Sequence, residues 1–209
     1  MQDASIGSWA KESHLSIEHL NSMRDLNHRF LDLAEVRASD WAAAHGGSPG
    51  SPGLGQQVAP LSAAQRAAMA SCPYALFDLR FADDAHWRSR LAGAAALRVA
   101  DEPRIDDATL NFVQLALFYA WHVAANDVLG AHLLLGMHNA TAAAFRRITV
   151  HCLPALAVTE AANLTARWSD CHAYWTALLG TATRNDQKAL RRVQLSGLQL
   201  AAAAHMTVL

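Results

Sequence analysis

Histidine and cysteine are the residues here whose chemistry could be catalytic or metal-binding: the 209 residues include 11 His and 3 Cys. Helical metal pairs need two ligands on one face, at i and i+3 or i+4, and the His-Glu-x-x-His pattern does not occur. His14 and His19 are five apart and His132 and His138 six apart, so these histidines are read as surface or hydrogen-bonded core residues. Asp170-Cys171-His172 brings a thiol, an imidazole and a carboxylate together in sequence, but adjacency supplies neither an oriented base nor an oxyanion cradle. Cys72, Cys152 and Cys171 are odd in number and lack Cys-x-x-Cys spacing, which argues for reduced thiols rather than a disulfide framework or zinc ribbon. Gly46 to Gly55 is glycine-rich without the Lys-Ser/Thr of a phosphate-binding loop, and reads as a linker. The expectation is a protein without catalytic residues, metal or cofactor.

Charge points the same way. A formal net charge of −1 gives no global field to hold nucleic acid, so DNA contact would be local or shared with a partner. Basic residues gather as Arg146-Arg147 and as Arg184, Lys188, Arg191 and Arg192, for which a solvated face is the default reading and phosphate contact the alternative. No basic and then apolar leader opens the chain, and the most apolar window, Phe112 to Leu135, is interrupted by Gln114, His122, Asn126, Asp127 and His132. A cytoplasmic protein is expected.

The elements that must position these residues are helical, since Ala and Leu dominate and strand formers are scarce. Spacing predicts helices over about Leu15 to Val36, from an N-cap at Ser62 to a stop at Ser71-Cys72-Pro73, and over Ala85 to Leu97, Asp107 to Ala125, Val128 to Leu135, Ala140 to Arg147, Pro154 to Asn163, Cys171 to Leu179 and Asn185 to Ala204. Pro154 suits a helix start shifted to Leu153. The helix from Asp107 carries Leu110, Val113, Leu117, Ala120 and Ala124 on one side and Phe112, Leu115 and Tyr119 on another, a pattern expected of a centrally buried helix. Phe77 to Phe81 alternates apolar and polar residues, the period of an extended segment with one buried face.

The chain also resembles itself. A shift of 87 residues aligns Leu61-Ser62 with Ile148-Thr149, Met69-Ala70 with Leu156-Ala157 and Arg80-Phe81 with Arg167-Trp168; one inserted residue later Trp87 meets Trp175 and Leu91 meets Leu179. This suggests two helical halves, 1–99 and 100–209, divided near Asp101-Glu102-Pro103, with Trp87 and Trp175 as core anchors. Alternation expects Phe81 and Trp168 to face the core, turning Arg80 and Arg167 toward solvent, a carboxylate or a partner, with a structural salt bridge or carbonyl contact as the first reading and a partner-binding role as the second.

Ala120, Asp127, Ala131, Leu135-Gly136, Ile148-Thr149, Leu156-Ala157 and Arg167-Trp168 stand in the order and spacing of landmarks of FlhD, the D subunit of the flagellar master transcriptional activator. The second half resembles that family over this stretch. In the first half Leu31-Asp32-Leu33-Ala34, Leu61-Ser62-Ala63-Ala64-Gln65, Met69-Ala70 and Arg80-Phe81 fit, while the Gly/Pro-rich loop replaces the segment around Leu-Gly. Where the family often carries a Cys three residues before its Arg-Phe, this chain has Phe77 and Leu164, so no intersubunit disulfide is implied. The resemblance implies an all-α, multi-helical fold and two FlhD-like repeats forming an intrachain pseudo-dimer, which could itself oligomerise. It further implies a non-enzymatic regulator or adaptor, a partner like the zinc-binding C subunit, and DNA bound only within that complex. Candidate partner or DNA contacts are then Arg80, Arg167, Arg184, Lys188, Arg191 and Arg192. The alternative is a helical small-molecule or metal sensor using the His- and Trp-rich interior. A ligand-sized pocket lined by Trp121, His122 and His132 would mark the sensor, and a closed core with an exposed apolar groove the adaptor.

Overall fold

The computed structural model describes residues 17–37, 53–93 and 105–206. Within them the fold is all-α and multi-helical, with one two-stranded pair. The elements in order are α1 (Ile17–Val36), α2 (Leu54–Val58), α3 (Ala63–Ala70), β1 (Phe77–Asp78), α4 (Asp84–Gly93), α5 (Asp107–Asn126), α6 (Val128–Leu135), α7 (Asn139–Phe145), a 3-10 turn (Val150–Cys152), α8 (Leu153–Glu160), a second 3-10 turn (Ala161–Asn163), β2 (Thr165–Ala166), α9 (His172–Thr183) and α10 (Gln187–Met206).

Local chemistry sets most of these boundaries. Ser62 and Gln65 cap α3 reciprocally: the Gln65 N–H donates to Ser62 Oγ at 3.3 Å and the Ser62 N–H to Gln65 Oε1 at 2.8 Å. Asp106 accepts from the Thr109 N–H at 2.8 Å to start α5, and Asp127 accepts from the Gly130 N–H at 2.8 Å to start α6. Gly136, at φ 72°, ends α6 in the left-handed conformation that glycine adopts without cost. Pro154 sits in the first turn of α8, where its missing N–H is harmless.

Some expectations are corrected. The loop expected over 46–55 already turns helical at Leu54 and Gly55; residues 46–52, like His14 and the 99/100 boundary, lie outside the described residues. The strand expected over Phe77 to Phe81 stops at Asp78, because Arg80 takes φ 58° and turns the chain into α4. Leu115 is 43% exposed, so the second apolar side of α5 is not all core.

β1 and β2 pair antiparallel, with Phe77 opposite Ala166 and Asp78 opposite Thr165. Asp78 and Thr165 are the positions related by the 87-residue shift, so the pair is centred on them. On either side the order of elements matches: N-caps at Ser62 and Thr149, helical turns, a strand, then helices starting at Asp84 and His172 with Trp87 and Trp175 one turn in. The 20-residue helices α1 and α5 cross antiparallel: Tyr119 donates to the His19 carbonyl at 3.1 Å near one end, Phe30 lies against Phe112, and Arg37 donates to Thr109 Oγ1 at 3.1 Å near the other. A single apolar core runs through both halves and includes Met23, Phe30, Phe77, Trp87, Phe112, Leu117, Phe145 and Trp175.

Two buried polar groups hold this arrangement. Asn27 on α1 donates to the carbonyls of Ala70, Cys72 and Tyr74 and accepts from the Leu76 N–H at 2.8 Å, closing the non-repetitive chain between α3 and β1 onto α1. Glu160, fully buried at the end of α8, meets His86 Nε2 at 2.7 Å and Asn163 Nδ2 at 2.8 Å; Arg90 Nε lies 2.9 Å from its other oxygen, off the line of a hydrogen bond. That carboxylate ties α4 of the first half to α8 of the second.

Candidate functional site

The six basic residues singled out from the sequence fall into three environments. Arg80 is exposed and pairs with Asp83 Oδ2 at 2.5 Å. Arg184, at the end of α9, and Lys188, Arg191 and Arg192, on the first turns of α10, are all exposed. The exposed Asp186 caps this end of α10, accepting from the Ala189 N–H at 2.9 Å, so the four basic residues surround one carboxylate.

Arg167 corrects the expectation that placed it among partner or DNA contacts, since it is only 6% exposed. Its N–H donates to the Leu76 carbonyl at 2.9 Å, continuing the ladder one rung beyond β2, and its Nη1 donates to the Leu134 carbonyl at 3.1 Å. The guanidinium lies 4.5 Å from the Trp168 ring centroid. Burial pulls its pKa down to about 10, partly offset by the negative field of Asp78; Asp78 itself is pushed up by burial. A Cβ at Gly136 would come within 2.5 Å of Arg167 Nη2, so the glycine that ends α6 also makes room for the guanidinium. Arg167 therefore holds the end of α6 to the strand pair. Trp168, expected inside, is half-buried at φ 52°.

Beside it lies a buried aromatic network. Tyr174 donates to the Tyr74 hydroxyl at 3.1 Å, Cys72 Sγ is 3.9 Å from the Tyr174 hydroxyl, and both tyrosine rings meet Trp168 edge-on. A Cβ at Gly197 would collide with the Tyr74 hydroxyl, so this glycine lets α10 close over the network. Burial pushes the Cys72 thiol up to about 11 and both phenols upward, which keeps all three protonated at neutral pH. These are packing and hydrogen-bonding groups. Around Cys171, His172 and Asp170 are exposed, and the bond between those two is backbone only. Among the described residues no group of three or more His, Cys, Asp or Glu side chains is placed to hold a metal ion.

Trp121, His122 and His132 border neither of the two grooves between the described helices. Trp121 donates to the Ile148 carbonyl at 3.2 Å, His122 is exposed and lies against His19, and His132 Nδ1 is 3.3 Å from the Met137 carbonyl. Two concavities among the described residues are open grooves. One of about 470 Å³ lies between α9 and α10, bordered by Cys171, Tyr174, Val193 and Leu200. The other, about 370 Å³, runs between α1 and α5, with Arg29, Asp32 and Val36 on one side and Asn111, Phe112 and Leu115 on the other. Large apolar side chains stand exposed beside this second groove: Val36, Leu115 and, one turn further along α5, Phe118. The signal for this face was present in the sequence as the second apolar side of α5, which composition alone could not distinguish from core.

No family model matches the chain, and no curated protein or solved structure matches it. No single described helix is long and apolar enough to cross a membrane.

Proposed function

We propose that this protein is a non-enzymatic regulator or adaptor of the kind represented by the D subunit of the flagellar activator, built as an intrachain pseudo-dimer and acting through a protein partner. The observation that carries this reading is the solvent-facing apolar groove along α1 and α5, bordered by Leu115, which is 43% exposed, with Phe118, 38% exposed, a turn further along α5. Supporting the pseudo-dimer are the strand pair centred on shift-related residues and the crossing of two equally long helices. DNA contact, in this reading, falls to the complex, to which Arg184, Lys188, Arg191 and Arg192 contribute an exposed basic patch while Arg80 serves as a peripheral contact.

The test is affinity capture at native expression, followed by reconstitution from purified components. The expected result is a stoichiometric complex that binds promoter DNA when the chain alone does not. A chain that captures no partner, or that binds a small ligand or DNA unaided, overturns the reading.

A further inference from the structure

We infer that α10 is a displaceable cover: it leaves the body of the protein as one unit while the rest of the fold stays closed, and so uncovers Cys72, Tyr74 and Tyr174. This device goes beyond the adaptor reading and does not depend on it.

The helix is long but shallowly held. Of its described side chains only Leu190, Gly197 and Ala201 are buried, whereas α1 and α5, also of 20 residues, bury seven and eight. The free energy of local opening follows the apolar surface that an element buries, so of these three helices α10 loses least by leaving. Leu195 is 60% exposed, and Ala173 and Ala177 of α9 stay exposed in the open groove along the seam where α10 lies. Charge weakens its start as well. Lys188, Arg191 and Arg192 stand in the first two turns, near the positive end of the helix dipole, and Lys188 and Arg192 are like charges four apart. Against these three stands the capping carboxylate of Asp186.

What α10 covers is deep by contrast. Gln194 Nε2 donates to Ser71 Oγ at 3.0 Å and Gly197 faces the Tyr74 hydroxyl, so the middle of the helix lies over the segment that carries Cys72. Cys72 is 1% exposed and Tyr74 fully buried. The cover is also an addition to one half. Residues 94–106 alone separate α4 from α5, too few for a helix of this length, and the positions of α4 that match Ala173 and Ala177 are the exposed Ala85 and Ser89. The repeated unit therefore folds without a 20-residue helix at this position.

Cys72 itself is the probe. In the full chain with Cys152→Ser and Cys171→Ser it is the one remaining thiol, and iodoacetamide alkylates its thiolate at sulfur with loss of iodide. Labelling followed by mass spectrometry across a urea series is expected to show two regimes. At low urea the dependence is shallow, from departure of α10 alone; near the global midpoint it is steep, with the slope of unfolding seen by circular dichroism. Gly197→Ala sets a methyl against the Tyr74 hydroxyl while raising helix propensity, so it should speed labelling in water about tenfold through loss of docking. Trp87→Phe alters the ring packed on Phe81 and Phe145, so it lowers global stability and should leave labelling in water unchanged. A single steep urea dependence, or labelling accelerated by Trp87→Phe as much as its loss of global stability dictates, overturns the inference, because Cys72 is then reached only by unfolding of the whole chain. So does a rate indifferent to Gly197→Ala.

Discussion

The two turns that leave the central strand pair share a backbone course and differ by one residue. Arg80 has φ 58° and its carbonyl accepts from the Asp83 N–H at 2.8 Å; Trp168 has φ 52° and accepts from the Cys171 N–H at the same distance. Helices begin one residue after Asp83 and Cys171, and each buries a tryptophan a turn later. The offset between these turns is 88 residues, against 87 at Asp78 and Thr165. The second segment therefore has two residues, Ala166 and Arg167, between the centre of the strand pair and its turn, where the first has only Leu79. Arg167 points to the opposite side of the chain from Ala166, and its guanidinium meets the end of α6 there. So the arginines matched by the 87-residue shift, Arg80 and Arg167, are not structural equivalents: one lies outside and the other inside. One residue of extra chain thus goes with a different side chain inside two turns of the same backbone course.

The largest expected effect tests whether the two tryptophans are equal anchors. Trp87 is fully buried, 5.9 Å from Phe81 in a stacked arrangement and 4.8 Å from Phe145. Trp87→Ala should cost about 4 kcal/mol in chemical denaturation, near the middle of what emptying an aromatic core site costs. Trp175 is 7% exposed and donates to the Arg167 carbonyl at 3.0 Å; Trp175→Ala should cost about 3 kcal/mol. Equal and small losses would mean that neither helix depends on its tryptophan.

Next in size is the contrast between the arginines. Arg167→Ala leaves the Leu134 carbonyl without its donor, uncovers Trp168 and removes a positive charge that acts on Asp78, so a loss of about 2–3 kcal/mol is expected. Arg80→Ala removes only an exposed i, i+3 ion pair and should change stability by less than about 0.5 kcal/mol. Partner binding should be unaffected by Arg167→Met, which keeps much of the packing volume. A reversed order of stability losses would contradict the displaced-turn description.

The turns should also respond differently to acid. The His86 N–H bond holds the Asp83 carboxyl below its usual range, and the Arg80 charge adds to that. A carboxyl whose folded pKa is depressed contributes stability above its unfolded pKa, about 3.8, and loses it as pH falls through the folded value. At the matching place the second turn has Cys171, a thiol in place of a carboxyl. Comparing thermal midpoints at pH 6 and about pH 3, Asp83→Asn should flatten the acid dependence of the whole protein, while Cys171→Ser should leave its slope unchanged.

Much of this fold was legible because its boundaries are written in single residues. Ser62 with Gln65, Asp106, Asp127, Gly136 and Pro154 each act on the backbone within four positions, and the helices they bound, α3 and α6 among them, lie where spacing placed them. What failed depended on distant chain. For Arg167 a structural carbonyl contact is expected ahead of a partner role, and it is made, but to the Leu134 carbonyl at the end of α6, a group that no local pattern names. The apolar residues of α5 could be counted but not apportioned, since only packing against α1 determines that Phe112 is buried while Leu115 borders a groove. The α2 helix was missed because Gly46 to Gly55 reads as helix-breaking up to its last residues. The candidate face was thus present in the sequence as residue types, and became a face only through the crossing of two helices.

The smallest expected effect bears on the left-handed residue itself. A non-glycine side chain at φ 58° crowds its own carbonyl, a strain of about 1 kcal/mol that glycine avoids. Arg80→Gly removes that strain and also gives up the exposed bond to Asp83, worth less than about 0.5 kcal/mol, and the unfolded chain gains freedom that offsets part of the benefit. The balance should be a stabilisation of about 0.5 kcal/mol, measurable as a shift of the urea midpoint without a change of slope. Trp168→Gly relieves the same backbone strain yet discards the ring that meets Arg167, Tyr74 and Tyr174, so it should destabilise by about 2–3 kcal/mol. Opposite signs from one substitution at two residues of matching conformation would place the difference between the turns in side-chain packing; a loss at both would mean that Arg80 does more within its turn than the bond to Asp83.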